Sequence, residues 1–152
     1  MKLPFYLTKM KIRRGKKHDA KELLHLLNKT PELQGNKNEK FYTINYVHGC
    51  LNVKDKGFVL IAEENKKIIG FLIAEIWKKK EYSFLDDIFV SPEFRRKDIA
   101  SKLEKEYEKY CKKIKLRSII LLTLVKNKKM QKWCKKHNFV RGNKLYFYEK
   151  HL

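Results

Sequence analysis

The chain has 152 residues, 43% of them apolar, with 9 Phe, 8 Tyr and 2 Trp, enough for one packed domain and too apolar for general disorder. Its 37 Lys and Arg against 17 Asp and Glu leave a charge of +20, a field that draws polyanions at low salt without by itself defining a nucleic-acid function. The longest apolar runs are far too short to cross a bilayer, Met1 to Phe5 lack a signal-peptide core, and the thiols Cys50, Cys111 and Cys134 are odd in number and widely spaced, so the expectations are a cytoplasmic location, no membrane, no disulfide framework and no metal site.

In chain order, Lys11 to Arg14 reads as a short strand. His18-Asp19 opens a helix with Asp19 as N-cap and Glu22 in capping-box relation, Leu23, Leu24, Leu26 and Leu27 as its buried stripe, and Thr30-Pro31 as its end. From Asn38 a second helix is expected on the spacing of Phe41, Ile44, Val47 or His48, and Leu51, and its excess of Tyr42, Thr43 and Tyr46 suits a cleft wall. Phe58 to Glu63 and Lys67 to Trp77 form a β-hairpin about Glu64-Asn65-Lys66, with Gly70 as a candidate bulge.

Phe84 to Val90 is an apolar strand carrying two carboxylates, Asp86 and Asp87, and Pro92 ends it. The basic turn Arg95-Arg96-Lys97-Asp98 leads into a helix whose Ile99, Leu103, Tyr107, Tyr110 and Ile114 share one face, and such a junction aims backbone N–H groups at an anion. Ser118 to Val125 reads as a strand buried on both faces, Lys128 to His137 as a short helix bearing Met130, Trp133 and Cys134, and Phe139 to Arg141 with Leu145 to Tyr148 as a closing hairpin about Gly142-Asn143. No repeat interrupts this order, and residues 1–152 read as a single domain.

The turn resembles the acyl-CoA signature of the GNAT family of N-acetyltransferases: Arg or Gln, two residues, Gly, any residue, then Gly or Ala. Here it runs Arg95, Arg96-Lys97, Asp98, Ile99, Ala100, with Asp98 where the family has its first glycine. The element order β-α-α-β-β-β-α-β-α-β-β resembles that family along nearly the whole chain. Asn127, followed by a short helix ending in Asn138-Phe139, resembles its second signature, with Cys134 at the position of a Tyr and Asn138 at that of a Gly. The resemblance implies an α/β (α+β) acyl-CoA N-acyltransferase fold: a mixed, mostly antiparallel sheet of six to seven strands with about four helices. It also implies acetyl-CoA as co-substrate and an amine as acceptor. Amides at Phe89 and Val90 would face the thioester, amides of Arg95, Arg96, Lys97, Asp98, Ile99 and Ala100 would hold the pyrophosphate, and Asn127 would complete the cofactor side.

Acetyl transfer requires a held donor, a neutral amine, a stabilised oxyanion and a proton for the departing thiolate. Adjacent strand residues face opposite sides, so one of Asp86 and Asp87 is expected in the cleft; an acid at the position of Asp86 resembles the polyamine-acetylating members and makes it the candidate base. Cys134 is the candidate acid, set against its reading as a small buried hydrophobe, with Tyr146 and Tyr148 as substitutes. The acceptor is expected to be a small amine or polyamine, or a protein N-terminus or lysine. The alternative is a degenerate, non-catalytic domain that binds acetyl-CoA or nucleic acid through its basic surface. Salt-dependent association with nucleic acid or the ribosome, and a homodimer paired through the closing strands, complete the expectations; no RNA- or DNA-binding motif is present.

Overall fold

The computed structural model describes residues 9–30 and 42–152. Their contacts divide the chain after Leu122, into a unit up to Leu122 and a unit Thr123–Leu152. The expected features at Pro31, Asn38 and Phe41 lie outside the described residues.

The first unit is built on five strands in the spatial order of the sequence: β1 (Lys11–Arg14), β2 (Gly57–Glu64), β3 (Lys67–Trp77), β4 (Tyr82–Val90) and β5 (Ser118–Ile120). The first three pairings are antiparallel, and β4 with β5 is parallel. Helices α1 (Ala20–Lys29) and α2 (Ile44–Leu51) cover one face, and α3 (Ile99–Lys113) covers the other. Each central strand is apolar on both sides, as a sheet covered on two faces must be. Phe58, Leu60, Leu72 and Leu85 pack with Ile99, Leu103, Tyr107 and Cys111 of α3. Val59, Ile61, Phe71, Ile73 and Phe89 pack with Leu23, Leu27 and Val47. Deep in the α3 side, the Ser83 and Tyr107 hydroxyls bond each other, and Ser83 also donates to the Glu75 carbonyl at 2.8 Å.

Several sequence expectations change in detail. Asp19 stands at the N-cap position of α1 as expected, but its side chain makes no capping bond to that helix: a 3₁₀ turn, Lys17–Asp19, already gives it helical dihedrals, and its carboxylate accepts from Lys16 N–H at 2.7 Å and from both terminal nitrogens of Arg13 at 2.8 and 2.9 Å. Glu22 turns instead to the Ile68 amide at 2.9 Å. Helix α2 begins at Ile44, capped by Thr43, whose hydroxyl accepts from Tyr46 N–H at 3.1 Å. The bulge expected at Gly70 falls on Ile69, the extra residue between the pairs Ala62 with Gly70 and Glu63 with Ile68. Gly70 serves close approach, since a Cβ there would stand 2.8 Å from the Phe89 carbonyl oxygen.

The strand expected over Ser118 to Val125 keeps only three ladder pairs, and Leu122, Leu124 and Val125 are exposed. In the second unit, α4 (Lys128–Lys136) forms as expected. Asn127 caps it, accepting from Met130 N–H at 3.1 Å. Asn138 takes φ 63° while Phe139 N–H bonds Cys134 O at 2.9 Å and Asn138 N–H bonds Lys135 O at 3.2 Å, the Schellman ending for which glycine is usually chosen. The closing hairpin is absent among the described residues, which show five strands rather than six to seven. A two-residue hairpin turn needs positive φ at its centre, and neither Gly142 nor Asn143 has it. Among the described residues no helix is long and apolar enough to cross a membrane.

Candidate active site

Strands β4 and β5 pair only from Tyr82 with Ser118 to Phe84 with Ile120, after which β4 runs on to Val90 without that neighbour. The edge of β4 from Leu85 onward therefore has backbone groups that no ladder to β5 occupies, the arrangement an extended amide-bearing ligand can use. Phe89 and Val90 are themselves core residues, Phe89 packed on Phe71 at 5.3 Å between ring centroids and Val90 under α3, so what they offer a ligand is main chain.

The β4–α3 turn is tied to the strand by Arg95, whose Nε donates to Val90 O at 2.9 Å. Arg96 and Asp98 both take left-handed dihedrals, φ 62° and 56°. Asp98 thus adopts the conformation for which glycine would be the unstrained choice, as short polar side chains can. Its carboxylate makes no capping bond to α3. The first helical bond runs from Lys102 N–H to Asp98 O, so the amides ahead of it have no helical acceptor. Lys97 lays its ammonium 5.2 Å from the Phe94 ring. A tight basic turn, left-handed at the glycine position and opening a 15-residue helix, fits a pyrophosphate.

The two carboxylates differ from the sequence expectation. Ile73 pairs with Asp87 and Ala74 with Leu85, so Asp86 is the extra residue of a β-bulge. Leu85 and Ile88 pack on the α3 side, whereas Ile73, opposite Asp87, packs on the side of α1 and α2. The bulge breaks strict alternation, and Asp86 and Asp87 both fall on the α1/α2 side of the sheet. There they meet a stripe of three side chains from α2 and its entry, Tyr42, Tyr46 and Cys50, at helical spacing. The Tyr42 hydroxyl donates to Asp87 at a long 3.4 Å, and the Tyr42 and Tyr46 rings lie 5.3 Å apart. Glu75, two residues beyond Ile73 on β3, adds a third carboxylate.

Burial and mutual repulsion set the protonation of this wall. Desolvation, then Glu75 and Asp87, push Asp86 up from 3.8 to about 7. Desolvation lifts Asp87 to about 6 against the Tyr42 hydrogen bond, which lowers it. Burial raises the Cys50 thiol to about 11, with Asp86 and Asp87 adding to it and the Tyr46 hydrogen bond opposing. Tyr42 and Tyr46 are raised above the ordinary phenol range, first by desolvation and then, among other neighbours, by both carboxylates. Tyr42, Tyr46 and Cys50 line the candidate site without being candidate residues from sequence; the signal for Tyr42 and Tyr46 is the polar, aromatic excess at 42–46, and nothing in the sequence singles out Cys50.

Asn127 and Cys134 belong to the second unit. Asn127 is engaged as the α4 cap, and Cys134 is a partly buried free thiol raised by desolvation. Tyr146 and Tyr148 are 86% and 88% exposed.

Residues 20–139 match the Acetyltransferase (GNAT) family. The chain belongs to this family. It is an N-acetyltransferase whose co-substrate is acetyl-CoA, and the sequence-based family resemblance and fold class hold. The structure of AAC(6')-Iy in complex with the bisubstrate analog CoA-S-monomethyl-acetylneamine is similar at 21% identity, covering 95% of this chain and 99% of that one with a TM-score of 0.75. The aminoglycoside acetyltransferase meta-AAC0020 from an uncultured soil metagenomic sample, in complex with sisomicin, is similar at 16% identity, covering 94% and 97% with a TM-score of 0.78. A possible acetyltransferase from Clostridium difficile 630 matches at 16% identity over 94% and 99%, TM-score 0.75. A search of curated proteins gives no match.

Proposed function

We propose that this acetyltransferase passes the acetyl group by direct attack from acetyl-CoA to a primary amine of a small acceptor carrying several positive charges. The observation that carries the reading is the β4 bulge, which turns Asp86 and Asp87 to one face, beside Glu75 and under Tyr42 and Tyr46. A lone carboxylate attracts an ammonium but deprotonates it poorly; a partly desolvated carboxyl titrating near 7 is matched to proton transfer at neutral pH.

In this reading Asp87 and Glu75 hold the acceptor's cationic groups and Asp86 takes the proton from the attacking nitrogen, directly or through water. The nitrogen lone pair adds to the thioester carbonyl, whose oxygen meets main-chain amides near Phe89 and Val90. The carbon–sulfur bond then breaks, and the coenzyme A thiolate takes a proton, for which Cys134 is the candidate donor. Amides of the Arg95 to Ala100 turn hold the pyrophosphate. The similar structures named for aminoglycoside acetyltransferases support a compact polyamine as acceptor.

A non-catalytic role was suggested by Asp98, Cys134 and Asn138 at positions the family fills otherwise. Asp98 and Asn138 both take the left-handed φ that glycine would provide, which favours the enzyme reading. The test is thiol release from acetyl-CoA with spermidine, an aminoglycoside, an N-terminal peptide and free lysine as acceptors. The small polyamines are expected to give the highest kcat/KM. Turnover confined to the peptide would overturn the acceptor assignment, and absence of a thermal shift with saturating acetyl-CoA would overturn the whole reading.

A further inference from the structure

At the opposite end of β4 from the α3 turn, the 3₁₀ turns Val53–Asp55 and Lys78–Lys80 border a cavity of about 460 Å³. Its lining includes Lys54, Lys56, Lys78, Lys79 and Lys80 over an apolar floor of Ile76, Trp77 and Tyr110. The residues of β4, at roughly 3.3 Å each, put it on the order of 26 Å from the β4–α3 turn, too far to serve the same pyrophosphate.

The cations are organised. Lys56 and Lys80 bring their ammonium groups 3.6 and 4.9 Å from the Trp77 ring centroid, so the indole face holds charge at the cavity. Lys56 stands in a left-handed conformation, φ 69°, with its carbonyl accepting from Ile76 N–H at 2.8 Å. A Cβ on the next residue, Gly57, would come within 2.1 Å of the Cys50 carbonyl oxygen, which leaves the chain no room to relax there.

No carboxylate lines the cavity among the described residues; Asp55 is bonded to Asn52 Nδ2 at 2.6 Å and Glu81 to Arg117 at 3.3 Å, while Glu75 accepts from Trp77 Nε1 at 2.9 Å, at the edge of the indole. None of the five lysines forms an ion pair among the described residues.

We propose that this pocket binds single-stranded nucleic acid, with phosphates on the lysines and one base taking the Trp77 face that Lys56 and Lys80 cover, beside the Tyr82 ring that stacks with it. Basic rims around aromatic floors are how single strands are held without sequence readout, and the cavity is of nucleotide size. The net charge of +20 supplies the long-range attraction, and the pocket gives it a place to land. Nucleic-acid binding here does not rest on the acceptor assignment.

The test is fluorescence anisotropy of labelled 12-mers of uridylate and deoxythymidylate with the full chain at 50 to 200 mM KCl. Lys78→Glu/Lys79→Glu/Lys80→Glu is expected to weaken both oligomers at least tenfold and to lower the slope of log K against log salt by about 2, at roughly 0.7 for each phosphate that is no longer neutralised. Trp77→Leu is expected to weaken binding about tenfold with little change of slope. Lys56→Glu, which keeps the ring, provides a second route if Trp77→Leu unfolds. A control of equal charge change on exposed lysines, Lys17→Glu/Lys21→Glu/Lys29→Glu, is expected to lose less than threefold. Equal loss in the control would overturn the pocket in favour of net charge. Absence of binding at 50 mM KCl, or loss by the pocket variants of binding to phosphatidylserine vesicles but not to the oligomers, would overturn the ligand class. Acetylation of amines is expected to be unchanged in the Lys78/Lys79/Lys80 variant.

Discussion

Asp86→Asn removes one ionisable oxygen from the wall beside β4 and separates catalysis from stability in opposite directions. The carboxyl titrates near 7 rather than 3.8 because burial, Glu75 and Asp87 disfavour its charge. The folded state therefore binds that proton more tightly than the unfolded chain does. Stability falls as pH rises from about 4 to about 7 and is level above, so ionised Asp86 is a burden at pH 8. A span of about three pH units, at about 1.36 kcal/mol for each, gives an upper limit of about 4 kcal/mol. Solvent reaching a partly exposed carboxyl reduces this to roughly 2. Asp86→Asn should accordingly raise Tm at pH 8 by about 4 °C, with no gain at pH 4. In the same protein kcat/KM for the best amine should fall about 10² to 10⁴-fold. The wild-type profile should carry an acidic limb centred near 7, with about one tenth of the plateau at pH 6, and the variant should lack it. Thermal unfolding and thiol release across pH 4 to 9, with Asp87→Asn alongside, measure both. A variant that keeps the wild-type limb, or that loses stability at pH 8, would refute the argument.

Asp98→Gly keeps the left-handed turn without strain and removes a carboxylate beside an anion, so KM for acetyl-CoA should fall about threefold to tenfold with kcat unchanged; a rise would place the Asp98 carboxylate in a supporting role. Cys134→Ala should lower kcat about hundredfold if the thiol returns the proton, whereas an unchanged kcat assigns Cys134 to helix packing alone. Arg13→Met leaves Asp19 buried at 4% exposure without its bidentate partner, at a cost of about 3 kcal/mol in urea unfolding at pH 7. Burial works to raise Asp19, but Arg13 and the Lys16 amide outweigh it and hold it below 3.8, so that contribution is present above about pH 4 and lost on acidification below it. The Arg13→Met penalty should shrink below pH 3.

Much of this molecule was legible in the chain because its signals are local. The stripe of Ile99, Leu103 and Tyr107 specified α3 and its buried face, the apolar runs specified β2 and β3, and the basic residues before Ile99 specified a turn opening that helix, since periodicity and helix-start signals need no distant partner. Whether Asp98 could stand for glycine depended on one residue's tolerance of positive φ, and it does so at 56°. The lost hairpin at Gly142-Asn143 shows where local signals mislead: a turn pair marks a bend only if the chain enters it with the right dihedrals and finds a ladder.

The sequence by itself determined the order of elements, the two apolar faces of the sheet and the place of the basic turn. The tertiary structure alone decided which carboxylates share a wall. Alternation predicted that Asp86 and Asp87 would part, but the register against Ile73 and Ala74 inserts one unpaired residue and turns both to the same side. Register is a property of two strands together, and no reading of one strand contains it. The same holds for the company the wall keeps: Tyr42, Tyr46, Cys50 and Glu75 come from a helix and a neighbouring strand, and only packing makes them neighbours of the acids whose protonation they set.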